Sequence, residues 1–474
     1  MKKIIIIGGG IAGLSAGVLA LRCGFDVTIL ESHSIAGGNC TAWKRNGYLF
    51  ECGMHWLAGT RSQDPLNELW YAIGALNDDV TIHYSEPYTE YDYNGIPIRL
   101  YRDVDKTEQH LLAISPADEK RIKAFCDSIR SAQSEGEICD NIRNAQSEEE
   151  LEATYQELTE QYINQFSHEG IRELLRAFQE SEAGISIVFT LAYLASGNGG
   201  FPGGGSLSFV RRIVNTFKSL GGEIRYNTHA DRVVIKNGKA TSVKSGDELF
   251  PADAVIIASD TMNIAQFFDV LPQSSWFDEM QAVTAPTMCT LVSLGINVDL
   301  KNYPESLIFK LEEPICLADH THQYLSFSNY AADSTYSPKG KTALTVHLAG
   351  DTYDFWKKAK EESRYIDEKQ KIANQVISAI IAQIPEAEGQ IEVCDVATPL
   401  TFERYCGTWQ GSWMTAIIPG MRREPYPVTI EGLDGVYFAG HRMTPPGGHP
   451  IAAESGMTAV QQLCHDTDTV CIWE

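Results

Sequence analysis

The chain has 474 residues, 43 % hydrophobic and 21 % charged, a globular balance with enough length for two or three lobes. Its 38 Lys and Arg face 62 Asp and Glu, and the formal charge of −24 argues against a nucleic-acid partner and against electrostatic docking on anionic lipid. The eleven cysteines include no C-x-x-C pair, which fits reduced thiols in a cytoplasmic protein and offers no zinc-ligand spacing.

Lys2–Lys3 and Ile4–Ile7 resemble the start of a secretory signal, but Gly8–Gly10 and Gly13 interrupt it and Arg22 precedes any cleavage-like site. The segment therefore reads as folded structure. Ile4–Ile7 is a strand buried on both faces of a parallel sheet. Gly8-Gly9-Gly10-Ile11-Ala12-Gly13 then supplies G-x-G-x-x-G. Gly8 permits a tight turn, Gly10 lets backbone approach a pyrophosphate, and Gly13 lets the next helix lie on the strand. That helix spans about Ile11 to Cys23, Gly24 ends it, and Val27–Leu30 forms a second strand closed by Glu31. A carboxylate there accepts hydrogen bonds from an adenosine ribose and disfavours a 2′-phosphate.

Gly37–Gly38 and the stretch from Asn39 to Trp56 follow. Here the chain resembles the two-dinucleotide-binding FAD superfamily, whose fingerprint adds a paired glycine just past the acid. Within it, G-G-N-C-T-A-W-K-R-N-G-Y-L-F-E-C-G-M-H-W is similar to the phytoene desaturase, carotenoid isomerase and retinol saturase group. Many relatives place Arg after the paired glycine where this chain has Asn39.

Downstream, Ser115–Pro116 opens a helix with Ile122, Phe125 and Ile129 on one stripe, and the acidic stretch Glu148–Glu160 also reads as helical. Gly197–Gly205 breaks the pattern before an amphipathic helix, Ser206–Leu220. Strands follow at Glu223–Tyr226, Ala230–Ile235, Ala240–Lys244 and Ala252–Ala258. This resembles the family's second FAD segment, and the resemblance makes Val233 the adenine contact. His320 and His322 lack a neighbouring ligand cluster, so no metal is expected. Ile372, Val376, Ile380 and Ile384 line a helix stopped by Pro385. The runs Glu148–Glu150 and Lys357–Lys360 read as solvated faces.

Thr398–Tyr405 and Gly407–Trp413 resemble the family's segment lining the flavin and substrate tunnel. Val436–Gly440 is a buried strand, Pro445–Pro450 a turn and Ile451–Leu463 a helix. The family places a helix here whose first amides face the flavin. Together these resemblances imply an α/β fold: a Rossmann-type FAD-binding domain (1–80, 200–265 and 425–474) with an interleaved α+β substrate domain (81–199 and 266–424).

The cofactor implied is non-covalent FAD, held by Gly8, Gly10, Ile11, Ala12, Gly13, Glu31, Ser32, Gly37, Gly38, Asn39, His55, Val233, Gly440, Pro450, Ile451 and Ala452. Cys406 stands near the position of covalent attachment in some amine oxidases, but its neighbours do not match, and it reads as a buried thiol. The function implied is hydride transfer between flavin and a C–C or C=C unit of an apolar unsaturated molecule such as a polyene, retinoid, carotenoid or other lipid. Isomerisation by reduced flavin and amine oxidation are the alternatives, and Trp409 and Trp413 suit either kind of pocket. A proton donor or acceptor is needed as well; the candidates are His55, His449, Glu403 and Arg404. The partner expected is a small apolar substrate, with no nucleic acid. Any membrane contact would be peripheral and without a basic anchor, since no stretch reaches the ~18 apolar residues of a transmembrane helix. No motif identifies the electron donor or acceptor.

Overall fold

Ile4–Ile7 are all within 4 % of full burial, and alternate residues of this strand serve two different cores. Ile4 and Ile6 pack among helices, whereas Ile5 and Ile7 pack against a small second layer of strands. That is why the run carries no polar alternation. A computed structural model describes residues 1–134, 160–181, 187–416, 422 and 424–471.

Strand β1 (Lys3–Ile7) leads into helix α1 (Ile11–Arg22) and strand β2 (Asp26–Leu30). Much later come helix α2 (Gly205–Ser219), strands β3 (Glu223–Arg225) and β4 (Ala254–Ile257), then β5 (Val436–Phe438) and helix α3 (His449–Asp466). The five strands form one parallel sheet in the order β5-β4-β1-β2-β3. β1 pairs β2 from Lys3↔Asp26 to Ile7↔Leu30 and β4 from Ile4↔Ala254 to Ile7↔Ile257. Helices α1, α2 and α3 cover one face. A three-stranded antiparallel sheet, Arg232–Lys236, Lys239–Ser245 and Glu248–Pro251, contributes to the other.

A second sheet of seven strands holds the interleaved segments, ordered Ile391–Ala397, Cys289–Ile296, Thr342–Ala349, His320–Asn329, Ser306–Leu317, Thr89–Tyr93 and Ile96–Leu100. The helix Tyr365–Gln383 inserts the expected stripe of Ile372, Val376 and Ile380 against it, and Pro385 starts a separate turn. Ile122, Phe125 and Ile129 likewise bury in a helical cluster. Pro116 opens a short turn of its own, however, and the long helix begins at Glu119. The hairpin Ala42–Arg45 and Tyr48–Glu51 falls within the first segment of the FAD domain by sequence, yet its Tyr48 and Leu49 pack with Ala343 of the second sheet. Glu148–Glu150, and the acidic stretch up to residue 159, lie outside the described residues. Among the described residues, no helix is long and apolar enough to cross a membrane.

Candidate active site

In open parallel sheets, ligands settle beyond the carboxyl ends of the strands. Here those ends carry Gly8 after β1, Glu31 after β2, Ala258–Asp260 after β4 and Gly440 after β5, and all of them line one cavity of about 1480 Å³. That exceeds the roughly 300–1,000 Å³ of a single-ligand pocket and leaves room for a dinucleotide together with a substrate.

The nucleotide end is built as the glycines suggest. Gly8 has φ +103°, and a Cβ there would meet the Ala258 carbonyl oxygen at 2.9 Å. Gly10 caps α1 with no side-chain hydrogen bond to the first amides, and Gly448 does the same for α3. Elsewhere Asp64, Asp103 and Ser274 cap their helices with side chains. Two helix N-termini on the cavity wall are thus left open to an anionic or polar ligand. Glu31 is fixed at the end of β2, its carboxylate accepting from Gly9 N–H and His33 N–H (both 2.7 Å). Asn39 Oδ1, Ser259 Oγ and His441 Nε2, on wall residues, have no partner within the protein.

Two of the cofactor residues read from the sequence do not reach the wall. Gly13 stands behind it, where a Cβ would lie 2.0 Å from the Gly8 carbonyl oxygen, so it serves helix-on-strand packing alone. Val233 is 2 % exposed in the core beneath β1 and β4, and the wall is formed instead by Thr228, His229 and Ala230 just before that strand. The other residues named for FAD all line the cavity.

Another part of the cavity wall is formed by a group of rings. His55 lies 4.4 Å from His347 and 5.4 Å from Trp413, centroid to centroid, and the last two are nearly parallel at 6.4 Å. His449 sits at the start of α3 and its Nε2 is 2.6 Å from the Gly53 carbonyl oxygen, which fixes that nitrogen as the donor. His347 reaches the wall through strand periodicity: it pairs with Leu291, which pairs with Ala397, and all three line the cavity as one cross-strand row.

His55 lies on the cavity wall, and desolvation followed by the nearby His449 lowers its pKa to about 4. Burial and then Arg442 bring His441 to about 3, burial and then His55 push His347 well down, and burial lowers His449 despite the Gly53 carbonyl. Each of the four imidazoles is thus shifted toward its neutral, polar form.

The other two catalytic candidates are displaced. The helix Pro399–Cys406 turns Leu400, Thr401, Phe402 and Arg404–Cys406 toward the cavity and Glu403 away from it, where its carboxylate accepts from Tyr353. Arg404 lines the cavity and its cation lies 5.1 Å over the Tyr405 ring. Tyr405 in turn meets His33 edge-on at 5.5 Å, which assigns this turn to the nucleotide end beside Glu31. Burial, then Glu31, raises the Cys406 thiol to about 12, in keeping with a neutral thiol.

One network fixes the wall between the two sheets. Arg442, after β5, and Asp260, after β4, form a bidentate pair at 2.9 and 3.0 Å, each side chain 1 % exposed. The guanidinium also donates to Ser412 Oγ (2.6 Å), Thr415 Oγ1 (3.0 Å) and the Met414 carbonyl (3.2 Å), and it lies 5.7 Å over Trp409. This anchors the segment carrying Trp413 and puts Trp409 in a structural role. His347, His441 and Asp260 line the cavity and Arg442 braces it, and sequence reasoning missed all four. His441-Arg442 directly after the strand glycine was the available signal; His347 had none.

The family model for flavin-containing amine oxidoreductases matches residues 11–464. The chain belongs to that family. Among curated proteins, this flavoenzyme is 22 % identical to a chloroplastic prolycopene isomerase of Daucus carota, over 98 % of its own length and 80 % of the relative's. It is 23 % identical to an all-trans-retinol 13,14-reductase of Danio rerio, over 86 % and 76 % of the two chains. Among solved structures, an oxidoreductase from Methanosarcina mazei shares its fold with a TM-score of 0.64 at 17 % identity, covering 97 % of this chain and all of that one. The cofactor of this flavoenzyme is FAD, and the open helix ends and the Gly8–Gly10 cradle fit it. Gly8–Ala12 and the start of α1 would hold the pyrophosphate, Glu31 the ribose, and Gly440 with Pro450–Ala452 the flavin end.

Proposed function

We propose that this flavoenzyme desaturates or saturates a carbon–carbon unit of an apolar, unsaturated small molecule of the polyene or retinoid kind. The observation that carries the reading is the wall of rings. His55, His347 and Trp413 meet there, burial shifts the imidazoles of His55, His347 and His449 toward their neutral forms, and Leu291 and Ala397 continue the surface. Trp56, Tyr193 and Phe189 extend it as a further aromatic row, with centroids 5.4 and 6.2 Å apart. Such a surface desolvates a hydrocarbon at little cost while offering hydrogen bonds to a single polar terminus. The relatives' names, an isomerase of prolycopene and a 13,14-reductase of all-trans-retinol, support the same substrate class. Bound FAD supplies hydride exchange with carbon. The protein's part is to hold the chain against the cofactor face, exclude water and keep the surrounding imidazoles uncharged. The isomerase relative gives a second reading, rearrangement of a polyene on the same surface without net redox change.

The test is an anaerobic flavin spectrum of the FAD-loaded protein with polyenes, retinoids, unsaturated fatty acids and amines. Bleaching of the oxidised protein by a polyene or retinoid, or re-oxidation of the reduced protein by one, supports the redox reading. A changed product with neither supports isomerisation. Bleaching by amines alone overturns both.

A further inference from the structure

Helices α1 and α3 both start at the cavity and pack closely; a Cβ on Gly456 would lie 2.5 Å from the Ala12 carbonyl oxygen. Their far ends therefore meet on the other side of the domain, ~18 Å away by the length of α1. Cys23 follows α1 and Cys464 lies in the last turns of α3. Beyond α3 the chain folds back, with Thr467 N–H and Thr469 N–H donating to the Cys464 carbonyl at 3.3 and 2.9 Å, and Cys471 comes in beside the other two. The three Sγ atoms lie within 4.8 Å of one another. Cys23 and Cys464 are buried, Cys471 is half-buried, and none of the three is in a disulfide.

We infer that Cys23, Cys464 and Cys471 form a binding site for one thiophilic d10 metal ion, Cu(I) or Zn(II). Three sulfurs each about 2.3 Å from a common centre stand about 4 Å apart, within the spacing found. Soft thiolates select these ions over harder ones. An odd set of mutually adjacent thiols is also a poor fit to a disulfide, which would strand one of them. Among the described residues, no fourth His, Cys, Asp or Glu atom joins the group, which leaves Cu(I) three-coordinate or gives Zn(II) a water. Binding transfers the thiol protons to solvent and changes no oxidation state. The ion would staple the chain after α3 to both helices that carry the cofactor-facing N-termini. The absence of paired spacing in the sequence hid this site, because tertiary packing and not local sequence brings Cys23 to the other two.

The experiment uses the full-length, FAD-loaded, reduced protein under anaerobic conditions. Cu(I) is supplied as its acetonitrile complex in competition with bicinchoninate, and Zn(II) is supplied separately against a chromophoric chelator. One equivalent of either ion withheld from the chelator is expected. Cys471→Ser, which lies beyond the last helix, and Cys23→Ser should each lose that equivalent while keeping bound FAD. Cys316→Ser, at an exposed cysteine of the second sheet, should keep it. The proposal falls if no equivalent is withheld, if Cys471→Ser withholds as much as the parent, or if thiol titration of the purified protein finds two of the three cysteines joined as a disulfide.

Discussion

Replacing Arg442 by Met removes the charge that Asp260 was buried to meet. All five guanidinium N–H groups are used: two on Asp260 and the others on Ser412, Met414 and Thr415. Asp260 would keep only the Met262 and Trp409 amides, at 3.1 and 2.9 Å. With both side chains 1 % exposed, losing one partner of such a pair costs about 3–5 kcal/mol, against about 1 kcal/mol or less for an exposed pair. The double variant Asp260→Asn/Arg442→Met carries no buried charge and should recover about 1–3 kcal/mol relative to the sum of the single costs. Urea unfolding of the FAD-loaded protein, followed by flavin fluorescence and by far-UV circular dichroism, reads these differences. Both probes are needed because a chain with several sheets need not unfold in one step. The pH dependence has a definite sign. Burial alone would raise the Asp260 pKa, but Arg442, His441 and the Trp409 amide outweigh it and hold the carboxyl below its ordinary value. Its stabilising contribution is therefore present above the unfolded pKa of about 3.9 and lost as pH falls through the folded value. Without Arg442 burial dominates, so the variant should unfold at a higher pH than the parent. A single-variant loss below about 1 kcal/mol, or a double variant no better than the summed singles, would refute the account.

Glu31→Ala removes a charged acceptor from two backbone amides and from the ribose, so FAD should bind about tenfold or more weakly, at about 1.4 kcal/mol per decade; fluorescence titration of the apoprotein measures it, and an unchanged Kd contradicts the assignment. Gly13→Ala puts a Cβ 2.0 Å from the Gly8 carbonyl oxygen, so the purified protein should lose FAD and melt at lower temperature, whereas a melting point equal to the parent's would show that α1 can shift. The depressed histidines make the folded protein bind fewer protons than the unfolded chain between about pH 6.5 and about 4, the folded value of His55, so stability should fall as pH drops through that window. Thermal melts at pH 7 and pH 5 should show a smaller loss for His55→Gln than for the parent; equal losses would mean that His55 is not held neutral.

How legible each part was follows from how locally it is written. The cradle is nearly contiguous: strand, three glycines, helix, strand and Glu31 lie within the first turn of the parallel sheet, and each acts through backbone or through its nearest neighbours. Val233 was misplaced because the approach to its strand, and not the strand itself, borders the cavity; one valine in a β-branched run does not reveal which residue faces a ligand. Glu403 and Arg404 are adjacent in sequence but some 100° apart around a helix, so only the packed helix separates the one that lines the cavity from the one that binds Tyr353.

The −24 charge and the patterning of the first sixty residues were sufficient by themselves to indicate a globular dinucleotide-binding protein with no basic face. The sequence named His55, His449 and Trp413 singly, and only the tertiary structure brought them together with His347. His55 follows the hairpin, His347 lies on the second sheet, Trp413 is held by the Arg442 network and His449 begins the last helix, and none of them is near another in sequence. It also decided their chemistry, since the pKa of an imidazole depends on the water removed around it and the charges brought beside it. Neither quantity exists until the chain has folded.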